Sequence, residues 1–140
     1  MIAKPGEDRS RIMRAVRSQN TGPEIIVRKW LHGQGYRYRL HRKDLPGHPD
    51  IVFPGRRKII FVHGCFWHGH HCPRGDRQPR ANAEYWKAKI ARNVARDQEQ
   101  RVSLEAQGWK VMIVWECGTR PARREELAKQ FTSFLEGDRA

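Results

Sequence analysis

Acidic side chains are scarce in this chain: 15 Asp and Glu stand against 28 Lys and Arg in 140 residues, a formal charge of +13. The basic residues run through the whole chain instead of collecting in one tail. A field of that sign attracts polyanions, which puts nucleic acid ahead of an anionic membrane surface as the partner. Long apolar runs are also missing. Mean hydropathy is −0.85, and no stretch approaches the roughly 18 apolar residues of a spanning helix. The opening MIAKPGEDRS lacks the apolar segment of a secretory signal, so the expected location is the cytoplasm, with no membrane partner. Cysteine is limited to three residues. That odd count in a reducing compartment argues against a disulfide framework and leaves metal ligation, a nucleophilic thiol or plain burial. Internal repeats and low-complexity linkers are absent, so residues 1–140 read as one domain, large enough to bury a core without a staple.

The elements that are present read as a mixed α/β layer protein. Residues 1–20 form a polar N-terminal arm with a short helix over residues 10–17. Thr21-Gly22-Pro23-Glu24 fits a capping box, with Pro23 preset for a first turn. The helix that follows carries Ile26/Trp30 and Val27/Leu31 at i,i+4 and stops near Gly33 and Gly35. Tyr36, Tyr38 and Leu40 alternate with Arg37, Arg39 and His41, the period of a half-buried strand. Residues 50–53 and 58–63 read as two strands of a hairpin joined at Pro54-Gly55-Arg56-Arg57. A long helix is predicted over residues 82–107, ended by Gly108, then a buried strand over residues 111–115. Residues 119–140 hold a closing amphipathic helix, with Leu127, Phe131, Phe134 and Leu135 on one stripe.

Between the hairpin and the long helix lies His63-Gly64-Cys65-Phe66-Trp67-His68-Gly69-His70-His71-Cys72-Pro73, which holds four of the seven histidines and two of the three cysteines. Cys65, Cys72 and Cys117, with one histidine of the loop, make a Cys₃His set of the kind that gives Zn²⁺ a tetrahedral site. Spacing alone does not separate His68, His70 and His71. The simpler alternative is that Cys117 is merely buried and the loop cysteines are incidental, but it gives the three thiols no common role. Four thiolate and imidazole ligands leave no open position, so such a zinc is structural and the chemistry lies elsewhere.

His63 falls at the end of one hairpin strand and Asp50 at the start of the other. A carboxylate and an imidazole so placed could share Mg²⁺ and a phosphate, although a turn or cap role would equally account for Asp50. At 100° per residue, Asp97 lies within about 20° of Trp86, Ile90 and Leu104 on the long helix. A carboxylate on an apolar stripe needs a partner, either an arginine or a histidine that it orients. Phe66-Trp67 places two large aromatics between Gly64 and Gly69. In a basic chain such a pair could wedge between base steps, where otherwise it would belong to a core.

Leu45-Pro46-Gly47-His48-Pro49-Asp50, Phe61-Val62-His63-Gly64-Cys65-Phe66-Trp67-His68, Asn93-Val94-Ala95-Arg96-Asp97 and Val114-Trp115-Glu116-Cys117 together closely resemble the very short patch repair (Vsr) mismatch endonucleases. The resemblance spans roughly residues 9–118. It implies the restriction-endonuclease-like fold, a central mixed β-sheet flanked by helices, carrying a structural zinc site. It implies nicking of one strand of double-stranded DNA on the 5′ side of the thymine in T:G mismatches left by deamination of 5-methylcytosine. By the same resemblance Asp50 and the Val62 backbone carbonyl are the Mg²⁺ ligands, His68 activates water with Asp97 behind it, and His63 and Glu24 are further catalytic positions. Cys65, His70, Cys72 and Cys117 become the zinc ligands. Met13, Phe66 and Trp67 become the wedge in DNA. Family members often carry Thr where this chain has Val62, a change that a main-chain ligand tolerates. Where the wider nuclease superfamily has an acidic residue and a lysine, this chain has Phe61 and His63, which is the Vsr pattern. The resemblance also implies a monomer and mismatch-repair partner proteins such as MutL.

Two other readings stand beside this one. A zinc-stabilised nucleic-acid-binding module without activity would leave T:G duplex uncut in the presence of Mg²⁺. A histidine-metal nuclease with a catalytic zinc would dispense with Mg²⁺, and its fold would survive Cys117→Ala.

Overall fold

Thr21 begins the first helix that the computed structural model describes; the described residues are 21–73, 75–76 and 80–137. The predicted helix over residues 10–17, and Met13 with it, lies outside them. The backbone of Thr21 is extended and its hydroxyl accepts from Glu24 N at 3.3 Å, with Pro23 in the first turn of α1, Gly22–Gly33. This is one arm of the expected capping box. The other arm differs, because the Glu24 carboxylate turns inward to Arg28 and His41 instead of back to Thr21.

Four strands follow: β1 (Arg39–Leu40), β2 (Ile51–Phe53), β3 (Lys58–His63) and β4 (Lys110–Trp115). They lie side by side in that order, the first two pairings antiparallel and the last parallel. The hairpin expected between β2 and β3 is present, closed by a 3₁₀ turn over Pro54–Arg56 with Arg57 in the left-handed region at φ 58°. The strand expected over residues 36–41 is shortened to two residues. His41 departs from it at φ 47°, yet its N–H still donates to Asp50 O at 3.1 Å. Tyr36 and Tyr38 keep their inward role outside the ladder, each meeting Phe53 edge-on.

Both faces of the sheet are covered, which is why β2 and β3 read as unbroken apolar runs. Ile51, Phe53 and Ile60 face α1 and α3 (Arg124–Glu136), packing with Val27, Leu31, Leu127, Phe131 and Leu135. Val52, Ile59 and Phe61 face the other way, with Val111, Trp109 and Leu104. Leu104 belongs to α2 (Ala83–Ala106), which ends before Gly108 at φ 91°. Lys58, only 3% exposed, tolerates burial by donating Nζ to Phe134 O and Leu135 O at 2.6 and 3.0 Å. A cation at the end of α3 offsets the partial negative charge of its terminal carbonyls. Among the described residues no helix is long and apolar enough to cross a membrane.

Candidate functional site

The C-terminal end of β3, the start of β2, the first turn of α1 and the middle of α2 surround one cleft of about 1030 Å³. Asp50, His63, His68, Asp97 and Glu24 all line it, together with Val62, Phe66 and Trp67. Every described residue expected to act on DNA or to hold Mg²⁺ therefore opens on the same space. The pairing within it differs from the sequence expectation in one respect: Asp50 groups with Glu24 and His41, while His63 groups with His68 and Asp97. The strand-end carboxylate and imidazole thus sit in two adjoining clusters.

The first cluster is acidic, with Glu24 buried and His41 and Asp50 partly exposed. Glu24 is 2% exposed, and Arg28 Nη1 and His41 Nε2 stand 3.0 and 2.9 Å from its Oε2. Asp50 Oδ2 accepts from Val62 N at 2.8 Å. Burial pushes the Asp50 carboxyl up to about 6; the Val62 N–H opposes that rise, the Glu24 charge adds to it and His41 opposes it again. Two carboxylates held together in a poorly solvated place are relieved by a cation. Oxygen donors of this kind suit a hard divalent ion. The β2–β3 ladder ends at Ile51 opposite Ile60, and beyond it the Val62 N–H is taken by the Asp50 side chain. The donor set thus fits the cation expected here.

The second cluster is the imidazole pair. His63 and His68 stack with centroids 3.7 Å apart and planes 5° apart. His68 Nδ1 lies 2.6 Å from Asp97 Oδ2. An ionised carboxylate only accepts, so Nδ1 carries the hydrogen and Nε2 is left with its lone pair. Burial, with the neighbouring His68, drives the His63 pKa down to about 3, against the pull of Asp97. Its ring is therefore neutral over the working range of pH.

The third group has the four predicted soft ligands. The donor atoms of Cys65, His70, Cys72 and Cys117 all lie within 4.8 Å of one another, and Cys117 Sγ is 3.6 Å from His70 Nδ1. A tetrahedral cation bound at about 2.3 Å to sulfur and about 2.1 Å to nitrogen separates such ligands by about 3.6 Å. Backbone N–H groups of Cys117 and Gly75 point at Cys65 Sγ and Cys72 Sγ at 3.4 and 3.3 Å. Burial pushes the Cys65 thiol up to about 12, a cost that a bound cation reverses. All three cysteines are free of disulfides. The residues fit a closed tetrahedral metal, and His70 is the histidine that joins them.

Phe66 and Trp67 are half-buried. Their centroids lie 6.0 and 5.6 Å from that of Trp86 on α2, and Asn93 Nδ2 donates to Trp67 O at 3.0 Å. Gly69 lets the loop approach this closely, since at φ 66° a Cβ there would meet Val94 Cγ2 at 2.8 Å. Trp86, Asn93 and His41 were not anticipated as site residues. Helical periodicity carried a signal for the first two: Trp86 shares the face of Asp97, and Asn93 lies one turn before it. His41 had none, because in the strand pattern it is only one more polar position.

A mixed sheet between helices, with carboxylates and an aspartate-backed imidazole in one cleft of a basic chain, defines a nuclease-like α/β protein. The family profile described as DNA mismatch endonuclease Vsr matches residues 4–74. A nicking enzyme of Xanthomonas oryzae pv. oryzae, Type II nicking enzyme V.XorIIP, is 58% identical over 79% of this chain and 81% of its own length. The DNA mismatch endonuclease Vsr of Escherichia coli is 39% identical over 94% of this chain and 86% of its own. Type II nicking enzyme V.NmeAIP of Neisseria meningitidis is 45% identical over 78% and 77%. The chain belongs to the Vsr family of DNA mismatch endonucleases.

Proposed function

We propose that this protein is a Mg²⁺-dependent endonuclease that nicks one strand of double-stranded DNA on the 5′ side of the thymine in T:G mismatches, with a structural Zn²⁺ clamped by Cys65, His70, Cys72 and Cys117. Strand nicking of DNA follows from the family and from the names of its relatives. The T:G substrate and the two metals go further and rest on the site. The observation that carries the reading is the cleft in which the carboxylates of Glu24 and Asp50 adjoin an aspartate-backed imidazole. The helix-flanked sheet, with its site at the strand ends, supports a restriction-endonuclease-like fold.

Asp50 and the Val62 carbonyl would hold Mg²⁺, with Glu24 behind them. The ion, when bound, would supply positive charge to the phosphate under attack. His68 Nε2 accepts the proton of the attacking water while Asp97 steadies the imidazolium that forms. The water oxygen bonds to phosphorus as one P–O ester bond breaks. His63, neutral and stacked on His68, closes that side of the cleft. Phe66, Trp67 and Trp86 form an aromatic edge suited to separating base steps at a distorted pair. A metal held by Cys65, His70, Cys72 and Cys117 would keep that edge and His68 in one frame.

Asp50→Ala decides the metal role. The variant should bind T:G duplex as the unsubstituted protein does and lose incision in a denaturing-gel assay with Mg²⁺; retained nicking sinks the assignment. Replacing Phe66 and Trp67 together by Ala should reduce preference for mismatched over matched duplex more than it reduces overall affinity. Equal loss on both duplexes would mark the two rings as packing residues.

A further inference from the structure

His63 is a buried polar side chain of the cleft, 7% exposed. Its Nδ1 is buried, and among the described residues nothing hydrogen-bonds to it, whereas a working imidazole is ordinarily held through its second nitrogen. Its orientation therefore comes from packing. Three rings supply it: Phe61 at 5.5 Å and 48°, His68 at 3.7 Å and 5°, and Trp115 at 5.4 Å and 71°.

Trp115 differs from the other two because its own place is set from outside the cleft. The parallel register of β3 and β4 puts it beside His63. The indole lies against His70 with centroids 4.2 Å and planes 14° apart, and Cys117 follows two residues later at the same tetrahedral cluster. One ring thus touches a ligand of the metal clamp and an imidazole of the cleft. The contacts continue without a gap from His70 through Trp115, His63 and His68 to Asp97.

We infer that Trp115 is a positioning residue of the nuclease site: gripped by His70 of the metal clamp, it walls His63 and thereby fixes the His63–His68 stack. The inference rests on the nuclease reading above. Near-attack geometry is steep, and a displacement of about 1 Å costs on the order of 100-fold in rate, so a side chain that acts through packing alone can still govern turnover.

The test compares zinc-loaded unsubstituted protein with Trp115→Leu and Trp115→Phe. It reads metal content, the ring signals of His63, His68 and His70 by NMR, duplex affinity, and single-turnover incision of T:G DNA with Mg²⁺. The Leu variant should keep its zinc and bind duplex within about twofold, yet show moved His63 and His68 signals and incision slowed by about 100-fold. The Phe variant, which restores an aromatic face, should recover most of that loss. Unchanged ring signals with an unchanged rate overturn the inference. So does a loss that Phe does not recover, or one that follows zinc release, which would make Trp115 a packing residue of the metal clamp. Should the Leu variant not fold, exchanging zinc for the larger cadmium ion in the unsubstituted protein decides the matter. The His63 and His68 signals must then move with that of His70, and their standing still while His70 shifts overturns the inference. Failure of the nuclease reading is separable, because the unsubstituted protein would leave T:G duplex uncut whatever the ring signals do.

Discussion

Asp97 occupies a helix face that would ordinarily be apolar, and it is tolerated there because His68 meets it at 2.6 Å. The same contact fixes which nitrogen of His68 holds the hydrogen, so one carboxylate sets the tautomer and the direction of the ring. Asp97→Asn keeps the shape and removes the charge. With T:G duplex and saturating Mg²⁺ it should slow incision by about 10²- to 10⁴-fold, the range for general-base contributions, with duplex affinity unchanged. A rate close to that of the unsubstituted protein would show that His68 does not depend on it. Glu24 illustrates the opposite lesson. Its position in a capping box was readable from Thr21 and Pro23, but its carboxylate serves Arg28, His41 and the neighbourhood of Asp50 instead. A capping pattern makes a glutamate expected at that position, but what the buried carboxylate does is decided by the groups that fold against it.

At the scale of elements, α2 is the informative one. Of its 24 residues only Leu104 is buried, so the helix is fastened to the sheet near its C-terminal end, where Leu104 packs with Trp109, Val111 and Ile59. Its middle presents Asn93 and Asp97 to the loop that bears Trp67 and His68. Leu104→Ala should destabilise the fold by about 2–5 kcal/mol, the usual loss for a fully buried leucine. Urea melts will report that loss, and a change near zero would mean that the loop contacts alone secure the helix. The helix itself, with its C-terminal glycine, was legible in the chain, as was the hairpin of β2 and β3. The parallel pairing of β3 with β4 was not, because a buried apolar run specifies a central strand without naming its neighbour. That pairing sets His63 beside Trp115, and so a feature invisible in the strand pattern governs one wall of the site.

For the molecule as a whole, the charge of +13 makes binding strongly salt-dependent if it is used on phosphates. Each phosphate neutralised should contribute a slope of about −0.9 to log K against log salt. Fluorescence titrations on T:G duplex at several salt concentrations will measure the slope, and a flat response would exclude the basic surface as the binding face. Composition alone determined this property, since net charge does not depend on how the chain folds. The sequence likewise limited the soft donors to three thiols and set Asp97 on an apolar helix face, because helical periodicity is local, but only the fold brought His70 to the thiols and His68 to Asp97. Tertiary structure alone decided that Glu24, His41 and Asp50 meet. They come from a helix start, the end of one strand and the beginning of another, and no local rule relates three such places until burial of the apolar faces of the sheet brings them together.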